Sequence, residues 1–182
     1  MSETLPLFRY HPDPISSGSL EPSSGACACC GRARGWLYTG PVFSADEQHG
    51  SVCPWCIADG SAHRDLGLEF ADPAGVGGYG LWPSVAEEIV ACVVQRTPCF
   101  SGWQQERWLT CCGEAAAFIG RAGQRELLAH GSEAIESIRA ESGMSGTDWR
   151  DYLAALDADG SPTAYLFRCL HCGRVGGYSD CD

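Results

Sequence analysis

Apolar and polar positions alternate with two different periods along the chain, and the change of period marks its elements. From Ser84 to about residue 96 apolar residues recur at helical spacing. Ser84 stands where an N-cap would, and Glu87 occupies the reciprocal capping-box position. These features predict a helix over about 84–96, which Thr97-Pro98 must end because the residue before a proline is driven out of the helical region. Positions 108, 112, 116 and 119 also fall on one helical face, so the stretch from Trp103 to Ile119 reads as a core helix. Two more helices are expected, at 132–139 and 147–156. In the second, Thr147 is the candidate cap, and Asp148 and Asp151 lie in the first turn, where the macrodipole favours acids.

Strand character appears at GWLYTGPVF (35–43) and TAYLFR (163–168), which are aromatic and β-branched runs bounded by turn residues. The stretch DPAGVGGYG (72–80) has five glycine or proline residues in nine and reads as a flexible link. The expected organisation is a segment 1–72, a link at 73–80 and a region 81–182, or else one compact unit. No internal repeat is visible among the helices.

Composition narrows the class. A chain of 182 residues with 45% apolar and 19% charged residues can bury an ordinary core and is not a disordered tail. Its formal net charge of −11 opposes binding that depends on neutralising phosphates or anionic lipid head groups. Nucleic acid is therefore an unfavoured partner, and a basic protein a more suitable one. No basic stretch followed by an apolar one opens the chain, and no apolar run approaches the ~20 residues needed to cross a bilayer. The expectation is a cytoplasmic protein with no membrane insertion.

Twelve cysteines in a reducing compartment point to metal or thiol chemistry rather than to a disulfide framework. Cys27 and Cys30 form one C-x2-C pair, followed by Gly31, and Cys53 and Cys56 form another after 22 intervening residues. The pattern is close to that of a zinc ribbon, whose usual insert is slightly shorter. Each pair can point two thiolates at one ion, and two pairs complete the tetrahedral shell of a structural Zn²⁺. The CPWC stretch (53–56) also matches a redox dithiol. That reading needs a sustained helix whose N-terminus lowers the first thiol's pKa, and Asp59-Gly60 would break such a helix almost at once. A second site is suggested by Cys169 and Cys172, followed by Gly173. The adjacent Cys111 and Cys112 are its expected remaining ligands and His171 a substitute. Neighbouring residues on a helix diverge by about 100°, so both cysteines can serve only if the helix ends or distorts there, which Gly113 permits. Cys29, between ligands, reads as a spectator. The metal expectation is one Zn²⁺, with a possible second.

Catalytic signatures are scarce. His11, His49, His63, His130 and His171 accompany no H-E-x-x-H or G-x-S-x-G pattern, and no glycine-rich phosphate loop is present. Asp157-Ala-Asp-Gly160 reads as a turn. Cys99 reads as a buried thiol in preference to a nucleophile. Asp59 and His63 read as local hydrogen-bonding residues. A zinc held by four cysteines has no open position for water, so the expected metal argues for architecture.

The blocks FRYHPDP (8–14), C-x2-C-G (27–31), GWLYTGP (35–41), CPWCIADGSA (53–62), RTP (96–98), GWQQE (102–106), Trp108 with Cys112, AFIG (117–120) and LFRCLHCG (166–173) occur in this order. On these blocks the chain resembles the CbrC family of bacterial proteins. That resemblance implies a colicin-tolerance phenotype without a molecular mechanism. It also implies a histidine at the position of Cys111, itself able to bind zinc, and a small residue at that of Cys99.

The fold class expected is α+β, with an N-terminal zinc ribbon, a helical middle and a C-terminal β-hairpin carrying a C-x2-C knuckle. The expected function is a zinc-binding interaction or stress- and toxin-tolerance protein, with the 103–106 block exposed to a partner or packing the modules together. The alternatives are an enzyme in which Arg9, His11, Asp59 and Gln105 converge on a polar pocket, and a CPWC redox protein.

Overall fold

The computed structural model describes residues 3–45 and 50–182, so His49 lies outside the described residues. Among them the chain forms six α-helices and three small antiparallel sheets of two, two and three strands. The mixed α/β class expected from the sequence is what the chain adopts.

An extended N-terminal segment is tied to the middle of the protein, where the Phe118 N–H donates to the Tyr10 carbonyl at 2.8 Å. Strand β1 (Leu20–Ser23) then pairs with β2 (Gly35–Tyr38), Leu20 opposite Tyr38. The strand expected over 35–43 is thus confined to its first four residues, and Phe43 makes an isolated bridge with Glu69 instead. Helix α1 (Pro54–Ala58) starts at a proline, which the first turn of a helix tolerates, and α2 (Ser61–Leu66) follows. Gly60, at φ 77°, separates them as the sequence suggested. The Arg96 guanidinium donates to the Ala58 carbonyl at 3.0 and 2.8 Å, satisfying a group that the end of α1 leaves open.

The segment at 73–80 forms two single 3-10 turns, Pro73–Gly75 and Gly78–Gly80. Its backbone is held by Trp108, which donates to the Gly75 carbonyl at 2.9 Å and accepts from Gly77 at 3.0 Å. Helix α3 (Glu87–Arg96) ends at Thr97 as expected but begins three residues late. Its N-cap is Ala86, not Ser84, because the Thr110 hydroxyl holds the Pro83 carbonyl at 2.6 Å and residues 83–86 stay outside the helix.

The core helix expected from Trp103 to Ile119 does not form. The chain instead makes a hairpin of β3 (Thr110–Cys111) and β4 (Glu114–Ala115), then enters β5 (Ala117–Ala122). Cys112 and Gly113 take φ of 55° and 74° between the two short strands. Positive φ at both central residues is the mark of a tight hairpin turn, and it stops a helix there.

Helix α4 (Gln124–His130), absent from the expected elements although QRELLAH is rich in strong helix formers, is followed by α5 (Ser132–Ser142) and α6 (Gly146–Ala155), close to the two helices expected. Ser145, not Thr147, is the N-cap residue of α6, and Thr147 lies within its first turn. Strand β6 (Thr163–Arg168) is central to the last sheet, between β5 and β7 (Val175–Asp180).

Both faces of this sheet are covered, so β6 is buried at every position but its last, Arg168. Tyr165 and Phe167 face one core with Phe118 and Tyr178, whereas Ala164 and Leu166 face another with Ile138, Trp149 and Leu156 of the α4–α6 layer. At the centre of the first core, Phe100 stacks on Phe118 with ring centroids 3.9 Å apart and lies 5.4 Å from Tyr165. No helix of the described residues is long and apolar enough to cross a membrane.

Candidate metal centres

Two elements bring the first four cysteines together. The loop between β1 and β2 carries Cys27 and Cys30. Cys53 is the N-cap of α1, and Cys56 lies in its first turn. Their sulfurs lie within 4.8 Å of one another, with Cys27–Cys56 at 3.8 Å, Cys30–Cys53 at 3.9 Å and Cys53–Cys56 at 3.6 Å. Four sulfurs about 2.3 Å from one tetrahedral ion would stand about 3.8 Å apart, whereas a disulfide would draw two of them to about 2.05 Å. The arrangement fits a tetrahedral ion.

The second cluster joins the β3–β4 hairpin to the β6–β7 connection. Cys111 ends β3, Cys112 occupies the turn, and Cys169 and Cys172 lie between β6 and β7. These four sulfurs also lie within 4.8 Å of one another, with Cys111–Cys112 at 3.6 Å and Cys111–Cys172 at 3.9 Å. Adjacent cysteines converge here because the left-handed backbone at Cys112 reverses the chain direction. Helical backbone would have splayed them. His171 is not part of the cluster; its Nε2 lies 3.7 Å from Glu114 Oε2.

The same backbone knuckle serves both sites. In the first, Cys27 N–H donates to the Arg32 carbonyl at 2.9 Å, and Gly31 N–H to the Cys27 carbonyl at 2.8 Å. In the second, Cys169 N–H donates to Arg174 at 2.9 Å, and Gly173 N–H to Cys169 at 3.1 Å. Gly31 and Gly173 take φ of 70° and 74°, which a glycine adopts without a Cβ penalty. The knuckle aims amide groups at the leading sulfur. The Cys27 thiol is pushed up by burial, but the N–H groups of Cys30, Cys53 and Cys29 reverse this and bring it down to about 7. Burial likewise opposes ionisation of Cys169, and the amides of Cys172 and His171 bring it down to about 6. Burial pushes the Cys53, Cys56 and Cys111 thiols up, so these sulfurs need a cation to become thiolates together. A raised Cys53 is the reverse of what an activated redox dithiol requires.

The clusters differ in exposure. Cys27, Cys53 and Cys56 are buried in the first core and only Cys30 is exposed, whereas Cys112 and Cys172 of the second cluster are both exposed. Arg34, whose guanidinium lies over the Trp55 ring at 4.1 Å, pairs with Glu3 beside the first cluster.

Of the other candidates, Cys29 is outside the cluster with its sulfur 3.5 Å from Ser61 Oγ, and Cys99 is fully buried with its thiol pushed well up by that burial. Asp59 accepts from Ser61 N–H at 2.8 Å, and the His63 ring bonds the Leu68 carbonyl at 3.1 Å, so both bond locally. Arg9 pairs with Glu114 at 2.7 Å, and His11 bonds Pro98 and Ser17. The 102–106 block packs on the last sheet, with Trp103 Nε1 donating to Gly160 O at 2.9 Å and Gln104 N to Asp180 at 3.2 Å. The three polar blocks thus bond different neighbours.

The profile of an uncharacterised protein family, UPF0167, matches residues 5–181. The chain belongs to this family. It is 45% identical to a UPF0167 protein of Pseudomonas aeruginosa over 177 residues, covering 96% of each chain. It is 42% identical to UPF0167 proteins of Mycobacterium bovis and Mycobacterium tuberculosis over 183 residues, covering 98% of this chain and 94% of each relative. No solved structure matches. The comparisons correct the resemblance drawn from the sequence blocks. The matching family and the relatives bear the name UPF0167, none bears that of CbrC, and the colicin-tolerance expectation falls with it.

Proposed function

We propose that this UPF0167 protein is a structural zinc protein with two Zn(Cys)4 sites, one at Cys27, Cys30, Cys53 and Cys56, the other at Cys111, Cys112, Cys169 and Cys172. The observation that carries the reading is the 3.6–3.9 Å spacing of sulfurs in both clusters, close to the edge of a tetrahedral thiolate shell. All-sulfur ligation selects Zn²⁺ over the hard cations. In this reading the first site is a variant of the ribbon, with one knuckle in a hairpin loop and the other pair on the N-terminal turn of a helix. Four protein ligands leave no place for a metal-bound water, so the metal organises the fold and performs no hydrolysis. A reducing compartment, which keeps the thiols free for metal, is part of the reading.

Elemental analysis of protein purified without added metal tests it. Two zinc ions per chain are expected, with about eight thiols becoming reactive on chelation and the exposed second site emptying first. One zinc or fewer per chain, or a reversible disulfide between Cys53 and Cys56, would refute it. The acidic surface, at net charge −11, suits docking of a basic protein partner. The yield of a partner captured by cross-linking should fall as the salt present during the reaction is raised towards about 1 M, where surface charges are screened within about 3 Å. Salt-insensitive capture would refute the charge argument.

A further inference from the structure

The zinc sites leave one other constellation without a role. His11, 1% exposed, sits on the floor of the N-terminal segment with its ring edge against Phe118, the centroids 5.1 Å apart. Nδ1 lies 2.7 Å from the Pro98 carbonyl, and Nε2 lies 2.8 Å from Ser17 Oγ. The carbonyl can only accept, so Nδ1 carries the proton of this bond. Burial holds the ring's pKa down to about 4, against weaker opposing effects of the Pro98 carbonyl and Asp13, so the imidazole is neutral near pH 7. Nε2 is then a bare acceptor. Were the Ser17 hydroxyl turned to the Pro14 carbonyl, 3.2 Å away, two lone pairs would face each other at 2.8 Å. The Ser17 O–H therefore donates to His11, and the Ser19 hydroxyl, 3.2 Å away, can donate to Ser17.

This is a hydroxyl held against an unprotonated imidazole whose tautomer is fixed by a third group, the geometry of a serine nucleophile and its base, with a base that burial makes weaker than a free imidazole. It also opens on a space of suitable size. Ser17 and His11 line a cavity of about 410 Å³ together with Asp13, Gly120, Arg121 and Asp159. Arg121 is anchored by an Nη2 donation to Ser101 O at 2.6 Å.

We propose that Ser17 and His11 form a nucleophilic dyad for acyl transfer, with Pro98 O as the orienting group and the adjoining cavity as the substrate site. Arg121 set against Asp13 and Asp159 gives the cavity both signs of charge, which suits a small zwitterionic acyl compound better than a purely anionic one. As Ser17 Oγ bonds to the carbonyl carbon, its proton passes to His11 Nε2. The bond to the leaving group then breaks, and that group departs with the proton, leaving His11 neutral. Water repeats the sequence on the acyl-serine and releases the acid.

The test uses the full-length, zinc-loaded protein and a fluorophosphonate probe, which a serine oxygen attacks at phosphorus with loss of fluoride, the serine proton leaving through His11. Peptide mapping by mass spectrometry should find one adduct per chain, on Ser17 and not on its neighbours Ser16 and Ser19. Ser17→Ala should abolish it, and His11→Gln should slow labelling about 100-fold, the scale of general-base assistance. If His11→Gln does not retain wild-type zinc, Ser17→Thr replaces it. That change keeps the hydroxyl but crowds the attacking oxygen with a methyl group and restricts its rotamers, and labelling should fall clearly below the wild-type rate. No adduct on Ser17 in protein holding its zinc, adducts spread equally over the three serines, or a labelling rate unchanged in a folded variant would overturn the proposal.

Discussion

Burying His11 without charge links the stability of the whole chain to pH over a defined window. The ring's ordinary pKa is about 6.5, and in the folded protein burial lowers it to about 4, the Pro98 carbonyl and Asp13 only partly opposing this. Between those values the unfolded chain binds a proton at this site that the folded chain does not, so stability falls as pH falls. Above about 6.5 the ring is neutral in both states, and its contribution no longer changes. Linkage with these two values gives a loss of about 2 kcal/mol on going from neutral pH to pH 5, and about 3 kcal/mol by pH 4. Other acids also titrate there and zinc thiolates take up protons, so the assay is a difference. Urea unfolding of the zinc-loaded wild type and of His11→Gln is followed from pH 8 to pH 4. The variant is less stable at neutral pH because it loses the ring's packing and both hydrogen bonds. The gap between the two proteins should then close by about 2 kcal/mol at pH 5. Parallel curves over the whole range would mean that the ring titrates alike in both states and that its burial links no proton to folding.

Two further outcomes follow from packing and backbone. Phe100 is fully buried and stacked on Phe118, so Phe100→Ala should cost about 3–5 kcal/mol and lower the melting temperature by roughly 10 °C in calorimetry; a cost under about 1 kcal/mol would mean that this ring is not central to the core. At Gly31 and Gly173 an added Cβ meets nothing within 4 Å, so alanine at either should cost only the left-handed backbone, about 1–2 kcal/mol by urea unfolding, with zinc retained. Loss of zinc from either variant would show that the knuckle needs more than this backbone shape.

The sequence made the cysteine pairs legible because each pair is local. A C-x2-C followed by glycine is a complete structural unit, and its 2.9 Å closing bond spans only five residues, from Cys27 to Arg32 and from Cys169 to Arg174. Helices α5 and α6 and strand β6 were legible for the same reason, their patterns lying within one element. The stretch after Trp103 misled because two periods coincide there. Trp108 and Ala116 share a helical face on paper, but in the structure they meet across a hairpin, the Trp108 indole donating to the Ala116 carbonyl at 2.9 Å. The only local sign of the turn is Gly113, and the positive φ of Cys112 has no signature in the sequence. The partner of His11 was equally hidden, since Pro98 lies 87 residues away.

The placement of the two clusters explains why a chain able to bury two cores would hold metal as well. The β5–β6–β7 sheet is covered on both faces and is held by packing. The other two sheets have four and two paired residues per strand, and a two-stranded hairpin of that size is marginal alone in water. Each of these small hairpins carries a cysteine pair at its turn, and each pair closes onto a second pair on a better-held element, α1 in one case and the β6–β7 connection in the other. In the proposed zinc-bound form, metal acts at the ends of the two smallest hairpins, the first ion against the packed core and the second near the surface. Removal of the ions should therefore loosen the two hairpins before the central sheet, because the sheet keeps both of its packed faces without them.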